Sequence, residues 1–185
     1  MRKIRKRYIV FVLLLIFIIL WSILIYFKHP GEIIRMVGVK NGYIISFFVG
    51  LFGGAATFTA IIYYPVLGTL AAGGLHPLVL ALIAGAGMTI GQSIYFYFGY
   101  TGRAVLSEKN QARMDKVRVW IHKKPEFLVR ALIFLYVGFT PLPNNLLTAS
   151  GGIIDYPFKK IIWPLLLGNI IMTAMVTQIV AFSLA

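Results

Sequence analysis

The residues of this 185-residue chain that could do chemistry are few, and most of them fall in one short stretch, GFTPLPNNLLTASGG, residues 138–152. Asn144, Asn145, Thr148 and Ser150 place neutral hydrogen-bond donors and acceptors inside an otherwise apolar region. An amide left unpaired in such surroundings costs about 2 kcal/mol or more, so these groups must bond to something. Two partners are open. They cap backbone broken by Pro141 and Pro143, or they line a polar path for a substrate. Gln92 poses the same choice between a helix–helix hydrogen bond and a place on that path. Thr57 and Thr59 are expected to bond back to their own helix. Arg130 either reaches an aqueous interface along its aliphatic stem or contacts a phosphate, because a central arginine costs about 2.5 to 3.5 kcal/mol even on the lenient insertion scale.

Other chemistries find no support. His29, His76 and His122 are dispersed and cysteine is absent, so no metal site is expected. The glycine-rich stretches lack the following lysine and preceding strand of a nucleotide loop. Ser150 before Gly151 has no general-base partner, so no catalysis is expected. The sequence points to no cofactor and to no enzyme.

The elements that position these residues follow from composition. Hydrophobic residues make up 59% and charged residues 12%, with mean hydropathy +0.86. A soluble domain of this length cannot hide that much apolar surface, so the chain reads as one all-α integral membrane domain spanning residues 1–185. The net charge of +13 raises nucleic acid as a partner. The basic residues cluster at the ends of apolar runs instead, which fits retention on one side of a bilayer, so no nucleic-acid partner is expected. Five of them precede an apolar run at residues 8–27, whose twenty residues span about 30 Å, one hydrocarbon thickness. It reads as a retained helix with a cytoplasmic N-terminus in the cell membrane.

Residues 28–40 suggest a short interfacial helix. Residues 43–74 are apolar but carry six glycines and Pro65, which reads as a re-entrant helical hairpin broken at the proline. Residues 77–100 read as a full span and 103–126 as an amphipathic cytoplasmic segment with Leu106, Met114, Val117 and Ile121 on one side. Residues 127–154 form the second hairpin, bent at Pro141 and Pro143, and 158–185 the last span. Pro65, Ala71, Gly73 and Gly74 recur as Pro143, Ala149, Gly151 and Gly152, each 78 positions later. Two repeats, 43–100 and 127–184, follow, inverted in the membrane by the positive-inside rule. The expected substrate path comprises Pro65, Gly73, Gly74, Gln92, Arg130, Pro141, Pro143, Asn144, Asn145, Thr148 and Ser150.

FTPLPNN followed by ASGG and the LeuGlyAsn of residues 167–169, with the earlier LAAGGLHP and GAGMTIGQSIYFYFGYTGR, resembles the DedA/VTT family (SNARE-associated Golgi proteins) over about residues 43–184. The resemblance implies a multi-pass protein that flips or scrambles a phospholipid or a lipid-linked phosphate, with anionic membrane lipids as partners. A homo-oligomer is compatible with it. An exporter of small amphipathic molecules and a non-transporting membrane scaffold are the alternatives. Two positions depart from the family pattern. The first hairpin carries no Asp or Glu, and Gly138 stands where many bacterial members have an arginine, with Arg130 eleven residues before Pro141 as a shifted candidate. All five acidic residues, Glu32, Glu108, Asp115, Glu126 and Asp155, lie at expected interfaces or loops, away from the expected path.

Overall fold

A computed structural model describes residues 30–55, 60–140 and 142–183, together with Ile16 and Leu20. The apolar run at 8–27, Thr57, Thr59 and Pro141 lie outside the described residues, the isolated Ile16 and Leu20 excepted. Every regular element among the described residues is helical. They are α1 (Pro30–Val37), α2 (Val39–Ala55), α3 (Ala60–Ala72), α4 (Pro77–Gly102), a short 3₁₀ turn (Arg103–Val105), α5 (Glu108–His122), α6 (Glu126–Phe139), α7 (Asn144–Ile153) and α8 (Phe158–Ser183). Two segments, Pro77–Val105 and Phe158–Ser183, are long and apolar enough to cross a membrane. A third qualifies if α1 and α2 count as one span, and these two meet at an angle of 100°. The bend is made at Gly38, whose φ of +84° an L side chain rarely adopts.

The breaks have local causes. Thr140 precedes a proline, which disfavours helical backbone, and it is extended at φ −116° and ψ 139°. That ends α6, and the helix resumes only beyond Pro143 as α7. Pro65 behaves otherwise. It lies inside α3 and is exposed. The expected break at Pro65 is therefore corrected. A proline inside a helix costs one i→i−4 hydrogen bond, and α3 continues through Pro65 all the same.

The C-termini of α3 and α7 close in the same way. Leu75 N donates to Leu70 O and Gly74 N to Ala71 O, while Tyr156 N donates to Gly151 O and Asp155 N to Gly152 O. In each the turn residue has positive φ, 99° at Gly74 and 55° at Asp155. These are Schellman caps, which satisfy carbonyls a helix end leaves unpaired. The two caps match at Gly74 and Asp155, 81 positions apart, and the starts of α4 and α8 are 81 apart as well. Gly74→Ala should lower stability by about 1 to 2 kcal/mol, the cost of left-handed backbone for a residue with a Cβ. The thermal midpoint of purified protein checks this, and an unchanged midpoint would contradict the assigned cap.

α4 is the hub. Gly50 and Gly54 of α2 pack on Ala84 and Met88 of α4, and Gly87 and Gly91 of α4 pack on Phe47 and Leu51 of α2. A Cβ at any of the four would run into the main chain of the facing helix. Further along, Gly99 meets Ala149 of α7 and Gly152 of α7 meets Phe96. With no hydrophobic force between helices in lipid, such small-residue seams bring backbones into dispersion range. α6 packs on α8 at Gly138 and Gly168, and α3 packs on α8 where Gly68 meets Val180. Two apolar cores result. One gathers Tyr63, Leu67, Leu70, Leu80 and Met88, the other Phe96, Val137, Ile154, Ile161 and Leu165, and α4 contributes to both.

On α5, Met114 and Ile121 pack towards the second core, and Val117 lies on the same side but is 40% exposed, while Val119 and Trp120 are exposed. Apolar residues thus lie on both sides of α5.

Candidate functional site

Contacts along α4 and α8 fix where the breaks lie. α2 begins at the His76 end of α4, where His76 N donates to Tyr43 Oη, and reaches Met88 and Gln92, near the middle of α4. α3 returns to the same end, where Gly73 packs on Pro30 and Ile34. α6 begins at the opposite end, where Lys160 Nζ lies 2.5 Å from Glu126 Oε2, and reaches Gly168. α7 returns to that end, where Arg103 donates to Ile153 O at 3.1 Å. The end of α2, the start of α3 and the α6–α7 break therefore approach the middle of α4 and α8.

Between them is a cavity of about 210 Å³. α2 and α3 contribute Gly53 and Tyr64, α4 Met88 and Gln92, and α8 Met172. The α6–α7 break contributes Thr140, Leu142, Pro143, Asn144 and Asn145. Its polar groups are amides and hydroxyls, and none of the described lining residues is ionic. Asn145 is buried and hydrogen-bonded. Asn144 Oδ1 is buried with no hydrogen-bond partner. The first residues of α7 stand at the same place, with Pro143 as an N-cap that supplies no side-chain bond, so the positive end of a helix dipole faces the cavity.

Beneath the cavity runs a buried polar network. Asn169 Nδ2 donates to Thr89 Oγ1 and to Gln92 Oε1, each at 2.9 Å. Thr173 Oγ1 donates to Asn169 O, and Tyr63 Oη lies 2.5 Å from Thr173 Oγ1. Thr173 has one hydroxyl proton, so Tyr63 is the donor to it. The chain of bonds thus ties α3, α4 and α8 together, and it holds the Gln92 amide in a fixed pose at the cavity wall. Asn169 Oδ1 is left without a partner.

Of the residues expected on the substrate path, Gln92, Pro143, Asn144 and Asn145 come together at this cavity. The others do not. Thr148 is buried, but its hydroxyl bonds back to Asn144 O and Asn145 O in its own helix. Ser150 is exposed and lines a separate apolar depression with Leu147 and Ile161. Gly73 and Gly74 serve the α3 cap, and Pro65 faces outward. Arg130 forms an ion pair with Glu126 one turn back and does not line the cavity.

Residues missed by sequence reasoning are Tyr64, Thr140, Met88 and Met172 at the wall and Asn169, Thr89, Tyr63 and Thr173 behind it. Asn169 carried a signal, since an amide midway along a 26-residue apolar helix is costly unless paired. The methionines carried none.

The ionic groups gather at the other end of α6. Arg103 pairs with Asp115 at 2.5 Å and Arg118 with Asp155 at 3.1 Å, while Glu126 holds both Lys160 and Arg130. The Lys160 hydrogen bond, aided by the Arg130 charge, keeps the Glu126 carboxyl below the ordinary glutamate value of 4.5. A lowered value means that the contribution is in place above about pH 4.5 and fades as pH falls through the folded value. The stability difference between wild type and Glu126→Gln should therefore shrink as pH is taken from about 7 to about 3.5, read as paired thermal midpoints. A constant difference would remove the carboxylate from the account.

Among the described residues, no three of His, Cys, Asp and Glu stand close enough to hold a metal ion. No protein-family model, curated protein or solved structure matches the chain.

Proposed function

We propose that the protein passes a phospholipid or a lipid-linked phosphate between the leaflets of a cell membrane, in the manner of the DedA/VTT group its motifs resemble. The observation that supports this best is the neutral polar cavity that segments from both halves of the chain line at the middle of the two long helices. A headgroup crossing hydrocarbon meets a desolvation barrier, and amides and hydroxyls at mid-depth lower it by standing in for water.

The fold is read accordingly as an inverted repeat. α2, α3 and α4 correspond to α6, α7 and α8. α2 packs on α4 as α6 packs on α8, and α7 packs on α4 as α3 packs on α8. α2–α3 and α6–α7 are then re-entrant hairpins that dip in from opposite faces, with irregular backbone at mid-depth kept beside a cavity and not in lipid. The basic end, with Arg103, α5 and Lys160, lies on the cytoplasmic side by the positive-inside rule.

Transfer is passive. None of the five acidic residues lines the cavity, so no carboxylate stands where a proton-coupled carrier needs one. The test is movement of fluorescent-headgroup phospholipids in liposomes holding purified protein, with and without a pH gradient. Transfer at the same rate in both conditions is the expected result. Transfer that requires the gradient would overturn the passive mechanism. No transfer from protein shown to be folded would overturn the reading and favour a scaffold.

A further inference from the structure

A second cavity adjoins the first. Along the outer face of α6, between α5 and α7, runs an open groove of about 660 Å³. Its long wall is Leu128, Leu132 and Leu135, which recur at helical spacing and are 45%, 58% and 51% exposed. One end is cationic and aromatic. Lys124 and Trp120 line it, with the ammonium 5.0 Å from the centre of the indole ring. Lys124 forms no ion pair among the described residues. Just outside, Lys116 and Lys123 flank the same tryptophan. The other end is Thr140, which also lines the polar cavity, so the two spaces share a wall.

Dimensions and polarity choose the occupant. α6 has 14 residues and so runs about 21 Å, more than the roughly 15 Å of one leaflet's hydrocarbon. The groove therefore reaches from headgroup level to mid-depth. Its order of surfaces is cation, then apolar wall, then polar cavity. A lipid with a phosphate at one end matches that order. A soluble ligand does not, since the leucines are exposed along a segment of mean apolar character flanking the spans. Tryptophan and lysine are the side chains that settle at a headgroup boundary, and each lysine there favours anionic lipid.

We propose that this groove binds one anionic membrane lipid, with its phosphate at Lys124 and one hydrocarbon chain along Leu128, Leu132 and Leu135, and that it is the port through which lipid reaches the polar cavity. The binding site stands on the groove itself, whereas its role as a port rests on the translocation reading. Lateral entry needs no aqueous route. A lipid already in the basic-side leaflet slides its chain against α6 until its headgroup stands beside Thr140.

The test uses the full chain in nanodiscs of equal phosphatidylglycerol and phosphatidylcholine, followed by extraction into detergent and mass measurement of retained lipid. Wild type should retain phosphatidylglycerol in preference. Lys124→Glu should lower that preference by about fivefold or more, the weight of one lysine near an anionic surface. Leu132→Trp should fill the groove and remove retained lipid of either headgroup. Leu128→Trp serves the same purpose if the first variant fails to fold. Retention unchanged in Lys124→Glu and in a folded groove-filling variant would overturn the site. Liposome transfer separates the two readings. Retention lost in the fillers but no transfer by wild type would leave the site standing and sink translocation. Transfer by wild type that the fillers leave at full rate would sink the port.

Discussion

Gly91→Ala is expected to destabilise the protein by about 3 kcal/mol, the upper end of the usual cost of overpacking. The added methyl would press on the Leu51 carbonyl oxygen and lie 2.6 Å from Ala55 N and 2.9 Å from the Gly54 carbonyl carbon. These are main-chain atoms of a hydrogen-bonded helix and cannot turn aside as a side-chain tip does. Relief requires α2 to move away from α4, which opens the neighbouring contacts of Gly50, Gly54 and Gly87 together. Gly102→Ala is the control. A Cβ there meets nothing within 4 Å and the backbone is helical, so the change should be neutral or raise stability by up to about 1 kcal/mol. Thermal midpoints and the monodisperse fraction in detergent measure both. Equal midpoints for the two variants would mean that the α2–α4 seam is looser than its atoms indicate.

Asn144→Leu is expected to slow lipid transfer by about thirtyfold while leaving the thermal midpoint within a degree or two, since an amide's missing partner is worth about 2 kcal/mol. Asn144 Oδ1 has no hydrogen-bond partner among the described residues, so the substitution removes no bond to them at that atom. What it removes is a polar surface at the cavity wall, which matters only while a headgroup is crossing. Asn145→Leu would be a poorer test, because Asn145 is buried and already bonded and its loss would disturb the fold as well. Asn144→Gln should restore much of the rate. Full transfer by Asn144→Leu would place the crossing elsewhere, whereas a fall in transfer accompanied by a fall in midpoint would assign Asn144 to packing.

The sequence made the helical class and the two long helices legible, because runs of twenty or more apolar residues allow few other structures. The α6–α7 break was legible for an equally local reason. Two prolines two positions apart cannot both sit inside one helix, and the residue before each is pushed to extended backbone. Pro65 misled because a lone proline removes one hydrogen bond from a helix without having to end it, and α3 continues through it. The sequence pattern sets Gly74 against Gly152, both small, whereas the two helix caps match at Gly74 and Asp155, a residue that adopts positive φ through its polar side chain and not through lack of one. At the site, Asn144, Asn145 and Gln92 could be chosen because amides in apolar runs are rare. Ser150 and Thr148 looked alike in sequence, and only helix rotation separates them, one outward and one against its own backbone. Arg130 was weighed against water or phosphate, and its partner is Glu126, one turn away on the same helix.

The seams on α4 also divide the molecule mechanically. α2 and α7 grip α4 main chain to main chain, so neither can slide along it without its glycines riding over the opposing carbonyls. These three helices form a stator. α3 is held differently, since Gly68 meets α8 through the Val180 methyl groups at 3.5 Å, contacts that survive small displacements. Among the described residues its side-chain hydrogen bond to α8 is the Tyr63–Thr173 pair. The contacts that hold α3 to α8 are therefore more yielding than the main-chain seams that hold α2 and α7 to α4.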